Sequence, residues 1–418
     1  MKLFPVALLA LTLQAQSSWF SPQLLEQPTM RKAFESVEAR ETQLIAEWIQ
    51  LTETAAPSTK EQTRATWIRA ELTKLNLTEL RTDEMGNISA VRKGTGGGRS
   101  VVFAAHMDTV FPEATPLKVQ REGNILRAPG IGDDTGNLIA TLEMFRALDR
   151  AGIKTKGDLI FLASVQEELG LIGMRHWWTK SGYNPDLVVA VDLHSPEVWY
   201  GAFRIDQLKF IYTAKGAHTM ESRGQPSPAR AVARAIERVY EIQLPPVAAG
   251  LGVFKLPVLN VGMMNGGTVV NAIPREAWFT VDLRSLDSAT QDRLSTAVVS
   301  AAKIAAESIG VGFHMESKMG IDYGKALPME QRRNHPLVRT ATDIANHFRK
   351  PGTPATEPLD AGATDANIGV SFGKASVAVG AVRYKGPHTL EEAAEADSLV
   401  PGVKMLIAFS VSSAGLAQ

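Results

Sequence analysis

The sequence predicts an α/β fold, a mostly parallel sheet covered by helices on both faces, with an inserted α+β (ferredoxin-like) domain. Three observations predict it. Between about Val101 and Val191, short apolar runs alternate with helical patterns, the order that yields buried parallel strands joined by crossover helices. From about Arg204 to Ser317 the order becomes β-α-β-β-α-β, which describes four antiparallel strands with both helices on one face. Near Gly320 the first pattern resumes, so the first domain is split around the second. A length of 418 residues suits two to three domains at roughly 150 residues each.

Taken in chain order, residues 1–18 read as an export signal. Lys2 precedes the apolar run Leu3–Leu13, and Gln14-Ala15-Gln16-Ser17-Ser18 supplies the small-residue zone where cleavage is expected near Ala15 or Gln16. The mature chain is therefore expected in the periplasm or outside the cell. The run is shorter than the ~20 apolar residues of a bilayer span, so no membrane crossing is expected. The first part of the split domain covers residues 27–203. Its clearest strands are Val101–Ala105, Leu159–Ala163 and Leu187–Val191, because each is a continuous apolar run. Between the first two, Leu138, Ile139, Leu142, Phe145 and Leu148 recur at helical spacing, after an acidic start at Asp133-Asp134 and before a stop at Gly152.

The inserted domain, residues 204–317, reads as strand Leu208–Lys215, helix Pro228–Gln243, strands Leu256–Val261 and Ala277–Asp282, helix Ser288–Ile309 and strand Val311–Glu316. The second part of the split domain, residues 318–418, holds a helix at Pro336–Phe348, a buried strand at Val377–Val379 and a closing helix at Ser398–Ser413.

Composition narrows the function classes. The 44 Lys+Arg cancel the 44 Asp+Glu, which leaves no net field to hold a nucleic-acid backbone or an anionic membrane. With no cysteine, every thiol nucleophile, Fe–S cluster and thiolate zinc site is excluded, and any metal must be held by His and carboxylates. Hydrophobic residues at 44% and charged residues at 21% belong to a globular chain.

In open α/β sheets ligands bind beyond the carboxyl ends of the strands, and here those ends carry metal-type side chains. Val101–Ala105 runs into His106-Met107-Asp108, Leu159–Val165 into Gln166-Glu167-Glu168, and Leu187–Val191 into Asp192. The late strand leads through a glycine-containing loop to His388, and a glycine-punctuated turn carries Asp133-Asp134. If extended geometry continues, His106 and Asp108 lie on the same side, so a metal can take the imidazole while Asp108 orients its other nitrogen. Glu167 and Glu168 point in different directions, which lets one ligate while its neighbour serves as a general base.

The segments Ala105-His-Met-Asp-Thr-Val-Phe-Pro112, Gly130-Ile-Gly-Asp-Asp134, Glu167-Glu-Leu-Gly170, Asp192, Lys215-Gly-Ala-His218, Gly266-Gly-Thr-Val-Val-Asn271, Asp282-Leu-Arg284, Thr364-Asp-Ala-Asn367 and Pro387-His-Thr-Leu-Glu391 occur in this order. Together they resemble the M20 family of dinuclear zinc peptidases, nearest to the tripeptidase T-like aminopeptidases, with related carboxypeptidases and amino-acid deacylases alongside. The likeness runs from about Arg40 to the end. It implies a zinc-exopeptidase-like catalytic domain and an inserted dimerisation or lid domain. It implies two Zn²⁺ per subunit, with Mn²⁺ or Co²⁺ as substitutes, and a small peptide or N-acyl amino acid as substrate.

Carried over residue by residue, the resemblance makes Asp133 the carboxylate bridging both metals. His106 and Asp192 complete one site, Glu168 and His388 the other. Glu167 resembles the general base and acid acting with a metal-bridged hydroxide, and Asp108 the partner of His106. The peptide after the bridging Asp is often cis in this family. His218 resembles a histidine lent across a homodimer interface to stabilise the oxyanion, and Asn271 and Arg284 resemble substrate-binding residues. The loop Arg383-Tyr-Lys-Gly-Pro387 lacks the family's glycine run, so Tyr384 and Lys385 are expected to alter specificity.

Blander readings stand beside these. His218 can simply cap a strand, Asn271 serve a turn before Pro274, and Arg284 form a surface ion pair. His176, His194, His314, His335 and His347 match no motif position and read as surface or packing residues, with His194 set apart because it lies two residues beyond Asp192, and Trp177-Trp178 read as helix packing. Exopeptidase action on short peptides competes with carboxypeptidase or N-acyl amino acid deacylase action. A non-catalytic dimeric binding protein with a vestigial metal site is the alternative outside enzymology.

Overall fold

Four apolar segments form the parallel heart of a seven-stranded sheet in the computed structural model, which describes residues 17–246, 257–360 and 362–417. The parallel strands lie in the order Leu159–Ser164, Val101–His106, Leu187–Val191 and Ala375–Val379. Antiparallel Ile88–Arg92 and Thr78–Thr82 extend one side, and the short antiparallel strand Val198–Trp199 closes the other. The first three parallel strands are buried along their whole length, which explains why they read as unbroken apolar runs. The antiparallel strands were not singled out in the sequence, because their residues mix polar and apolar types.

On one face the sheet buries helices Pro28–Glu38, Asn137–Ala151, Pro336–Phe348 and Leu399–Ala414 in a single large core. On the other it buries helix Ile172–Lys180, where Trp177 and Trp178 sit in the core beside Val102, Val188 and Ile368, so this pair is packing as read. Gly152 ends its helix in the left-handed region at φ 68°, as its position suggested. The start of that helix differs from the expectation. It begins at Asn137, and Asp133 and Asp134 lie in a preceding turn with non-helical backbone.

The inserted sheet has the order Val258–Gly266, Glu276–Ser285, Arg204–Thr213, Gly312–Gly320, antiparallel throughout. Helices Pro228–Tyr240 and Ser288–Ile309 cover one face through Ala231, Ala235, Val298 and Ala302, packed on Phe210, Tyr212 and Phe279. The longer helix starts where the Asp287 carboxylate accepts the Thr290 N–H at 2.7 Å, an N-cap. Of the strand expected at Leu256–Val261, Leu256 lies outside the described residues, as do residues 1–16 of the expected export signal. No helix among the described residues is long and apolar enough to cross a membrane.

Candidate metal centre

The parallel strands deliver their polar ends to one place. His106 ends its strand buried, with Nε2 at 3.0 Å from Asp133 Oδ1 and 3.6 Å from Asp192 Oδ1. His388 Nε2 lies 3.2 Å from Asp133 Oδ2 and 3.1 Å from Glu168 Oε1. The two oxygens of Asp133 thus face two different imidazoles, each of which meets a second carboxylate. All five residues expected as ligands converge here. Asp134 joins them: with His106 and Asp192 it forms one group close enough to hold an ion, while His106, Asp133 and Glu168 form another. The Asp133–Asp134 peptide is cis.

Charge in this group is out of balance without a cation. Burial pushes Asp192 up to about 7 and holds Asp134 well above the usual carboxylate range. Glu167 is likewise held well above that range by burial and by the neighbouring Asp192. Hydrogen bonds that His388 donates to the Asp133 and Glu168 carboxylates push it up to about 10, and at His106 burial is outweighed by the surrounding carboxylates, Asp134 foremost. Crowded acids that can share a site only by taking up protons, set among imidazoles, are a donor set suited to divalent cations.

Asp108 anchors the catalytic strand ends more fully than its spacing suggested. Its oxygens accept the N–H groups of Glu167 at 3.0 Å and Glu168 at 3.2 Å, and the Ser58 hydroxyl at 2.6 Å. Against His106 Nδ1, the nearer acceptor is Asp108's own backbone carbonyl at 3.1 Å, with its carboxylate at 3.4 Å. Gln166 and His388 adopt positive φ of 52° and 62°, strain that costs about 1–3 kcal/mol each and clusters at functional sites.

Three supports escaped sequence reading. Glu392, fully buried, accepts the N–H groups of Gly130, Gly132 and Asp133 at 2.7, 2.7 and 2.9 Å. Its grip ties the turn that carries Asp133 at three backbone points. Glu61 accepts the Gln166 N–H at 3.1 Å, and buried Arg64 donates to the carbonyl of Met107 at 2.7 Å. Their only signal is a lone charged residue in a stretch without motif. Gly132 was part of a motif, and its reason is steric: a Cβ there would fall 2.1 Å from Tyr384 Cγ.

A cleft of about 860 Å³ opens over Asp133, Glu167, Glu168, Asp192 and His388. Arg284 and Val258 reach into it from the inserted domain. Arg284 is also ion-paired with Asp282 at 2.8 Å, as its blander reading expects. His194 is not a remote surface residue: it lines the cleft, its ring 5.9 Å from that of Tyr384, which lines it too. Lys385 is exposed and is not among the lining residues. His218 and Asn271 sit together on a separate small ribbon, His218 Nε2 3.5 Å from Asn271 Nδ2, and neither lines this chain's cleft. His335 caps its helix by accepting the Leu337 N–H, and His347 packs on Phe20 and Phe348, roles that fit the packing reading.

Known proteins share this plan. The Staphylococcus aureus tripeptidase structure superposes with a TM-score of 0.68 at 21% identity, over 88% of this chain and 97% of that one. The Bacillus subtilis YXEP protein, a dinuclear metal binding peptidase from the M20 family, gives 0.61 at 16% identity, over 90% and 98%. In sequence, the uncharacterized protein YqjE of Bacillus subtilis is 24% identical over 350 residues, 77% of this chain and 83% of that one. An acetylornithine deacetylase of Vibrio parahaemolyticus is 25% identical over 260 residues, 57% and 64% of the two chains. The model of Peptidase family M20/M25/M40 matches residues 102–411, so the strand-end acids and histidines described above belong to a member of that family.

Proposed function

We propose that this hydrolase is a metal-dependent exopeptidase that cleaves amide bonds of short peptides. The observation that carries the reading is the placement of Asp133, one oxygen toward His106 and the other toward His388. His106, Asp133 and Asp192 would hold one ion, and Asp133, Glu168 and His388 a second, Zn²⁺ or an equivalent such as Mn²⁺ or Co²⁺, since these donors accept all three. When bound, such ions polarise the scissile carbonyl and make a water acidic enough to attack at neutral pH. Glu167, at the cleft floor beside Glu168, takes the proton of the attacking water and returns it to the departing amine. Its raised affinity for protons suits that shuttle. Asp108 fixes the backbone of both glutamates and so keeps one aimed at the metals and the other at the substrate. Arg284 reads a substrate carboxylate.

His218 is proposed to complete the site of a partner subunit. It has no place in its own cleft, and the edge strand Val258–Gly266 exposes Met263 and Met264 at 60% and 70%. Residues 1–18 are proposed as an export signal. Carboxypeptidase or N-acyl amino acid deacylase action is the second reading, supported by the sequence likeness to an acetylornithine deacetylase.

The test is metal analysis of the purified protein, followed by turnover of tripeptides, N-blocked peptides and N-acetyl amino acids. Divalent metal with cleavage of free-amine peptides is expected, and Glu167→Ala should keep the metal and lose roughly 10²–10⁴ in kcat. Metal-free preparations, or full activity in Glu167→Ala, would sink the proposal.

A further inference from the structure

The loop that follows Asp192 is built into the wall of the cleft. Three backbone hydrogen bonds lace it to the end of the neighbouring strand: Asp192 N–H to Val379 O at 3.0 Å, Ser195 N–H to Val382 O at 2.8 Å, and Gly380 N–H to Glu197 O at 3.3 Å. The contact is so close that a Cβ on Gly380 would fall 2.2 Å from the Leu193 carbonyl oxygen. Glu197 closes the loop by donating its N–H to His194 O at 2.8 Å. Its side chain lines the cleft together with those of Asp192, His194 and Trp199.

This carboxylate has no duty so far assigned. It belongs to neither group of potential metal donors. The Trp199 indole lines the cleft with it, and no guanidinium or ammonium pairs with it among the described residues. Burial, the largest influence on it, holds its carboxyl above the usual range. A half-buried acid that lacks a cation, on a rigid wall of a substrate cleft, leaves acceptor positions unfilled. Leu193, Trp199 and Phe203 supply apolar surface close by, and the wall cannot retreat because the loop is tied to the sheet.

We propose that Glu197 binds the free α-ammonium group of the substrate, which makes the enzyme selective for peptides with an unblocked N-terminus. This rests on the reading of the cleft as a peptide site. An α-ammonium carries three N–H donors on a compact charge, which suits a carboxylate whose acceptor positions are open. Acylation of the amine removes the charge and two donors, and sets a carbonyl against the acid.

The inference is tested apart from hydrolysis, in zinc-loaded Glu167→Ala protein, where binding is read by calorimetry. The ligands are trialanine, N-acetyl-trialanine and lactyl-alanyl-alanine, in which a hydroxyl replaces the ammonium. Trialanine is expected to bind tightest. Adding Glu197→Gln should weaken trialanine roughly tenfold to a hundredfold and change the other two by less than about threefold. Because the lactyl ligand reports on unaltered Glu197, it should itself bind roughly tenfold or more weaker than trialanine, whatever the fate of the variant. Equal binding of trialanine and the lactyl ligand, or equal losses for all three in Glu197→Gln, overturns the assignment. Failure of zinc-loaded wild-type protein to cleave trialanine refutes the exopeptidase reading instead, and leaves this binding result to stand or fall by itself.

Discussion

Truncating Glu392 should damage both stability and metal affinity, although this residue touches no substrate. It is fully buried, and its two oxygens serve three backbone donors: Oε2 takes the Gly130 N–H, and Oε1 takes those of Gly132 and Asp133. Glu392→Ala leaves three buried N–H groups without an acceptor. At about 1–3 kcal/mol for each orphaned donor the cost starts at about 3 kcal/mol, a large share of the about 5–15 kcal/mol that holds a typical domain folded. Glu392→Gln keeps one carbonyl, so it can serve Oε1's two partners or Oε2's one, but never both sides, since its NH2 cannot accept. At least one donor then loses its partner, at about 1–3 kcal/mol, and the order of stability should be wild type, then Gln, then Ala. The same anchors hold the turn that presents Asp133 to both histidines, so zinc affinity should fall about 10- to 100-fold in the Ala variant. Urea unfolding of the metal-free protein reads the first effect, and zinc competition against a chelator of known affinity reads the second. An Ala variant within about 1 kcal/mol of wild type, with unchanged zinc affinity, would refute the reasoning.

The metal-free protein should lose stability as pH rises. Asp192 and Glu392 are pushed up to about 7 and Asp365 to about 6, so the folded state holds protons that the unfolded chain releases from about pH 4 upward. His388 acts in the same sense: raised to about 10, it contributes stability at low pH that is lost as pH climbs through that value. Asp133, held low by its histidines, opposes this only on acidification. Zinc takes the deprotonated donors, so its stabilising shift in melting temperature should be larger at about pH 8 than at about pH 5. A metal-free melting temperature that rises between those values would contradict this. Subunit exchange tests the role of His218. Mixed Glu167→Ala and His218→Ala dimers place an intact Glu167 and a His218 lent in trans at one site of each hybrid, so about one quarter of wild-type activity should return. No recovery after demonstrated exchange, or a monomeric protein of full activity, would remove the trans role.

The parts legible in the sequence are those where chemistry and chain order coincide. His106, Glu167, Glu168 and Asp192 immediately follow buried strands, and a parallel sheet is bound to bring such ends together. The alternation of apolar runs therefore announced both the fold and the place where its acids meet. His388 and Asp133 come from loops, where only glycine-punctuated segments marked them, and the resemblance of their motifs supplied their roles. What stayed hidden is what acts at a distance in the chain. Glu392 reaches back across more than 250 residues to Gly130, Gly132 and Asp133, and Glu61 reaches Gln166 across 105. A single Glu carries no period and no spacing, so nothing local distinguishes these anchors from solvent-facing acids. His194 stood out among the histidines outside the motifs only by its nearness to Asp192. Two residues past Asp192 it had left the strand, and its direction depends on the close passage of Gly380 beneath the loop. Asp133-Asp134 reads as a helix start because acids are common there, whereas the backbone of both residues is non-helical and the helix begins at Asn137. The Glu392 carboxylate, by three bonds to one turn, holds Asp133 where its two oxygens face His106 and His388.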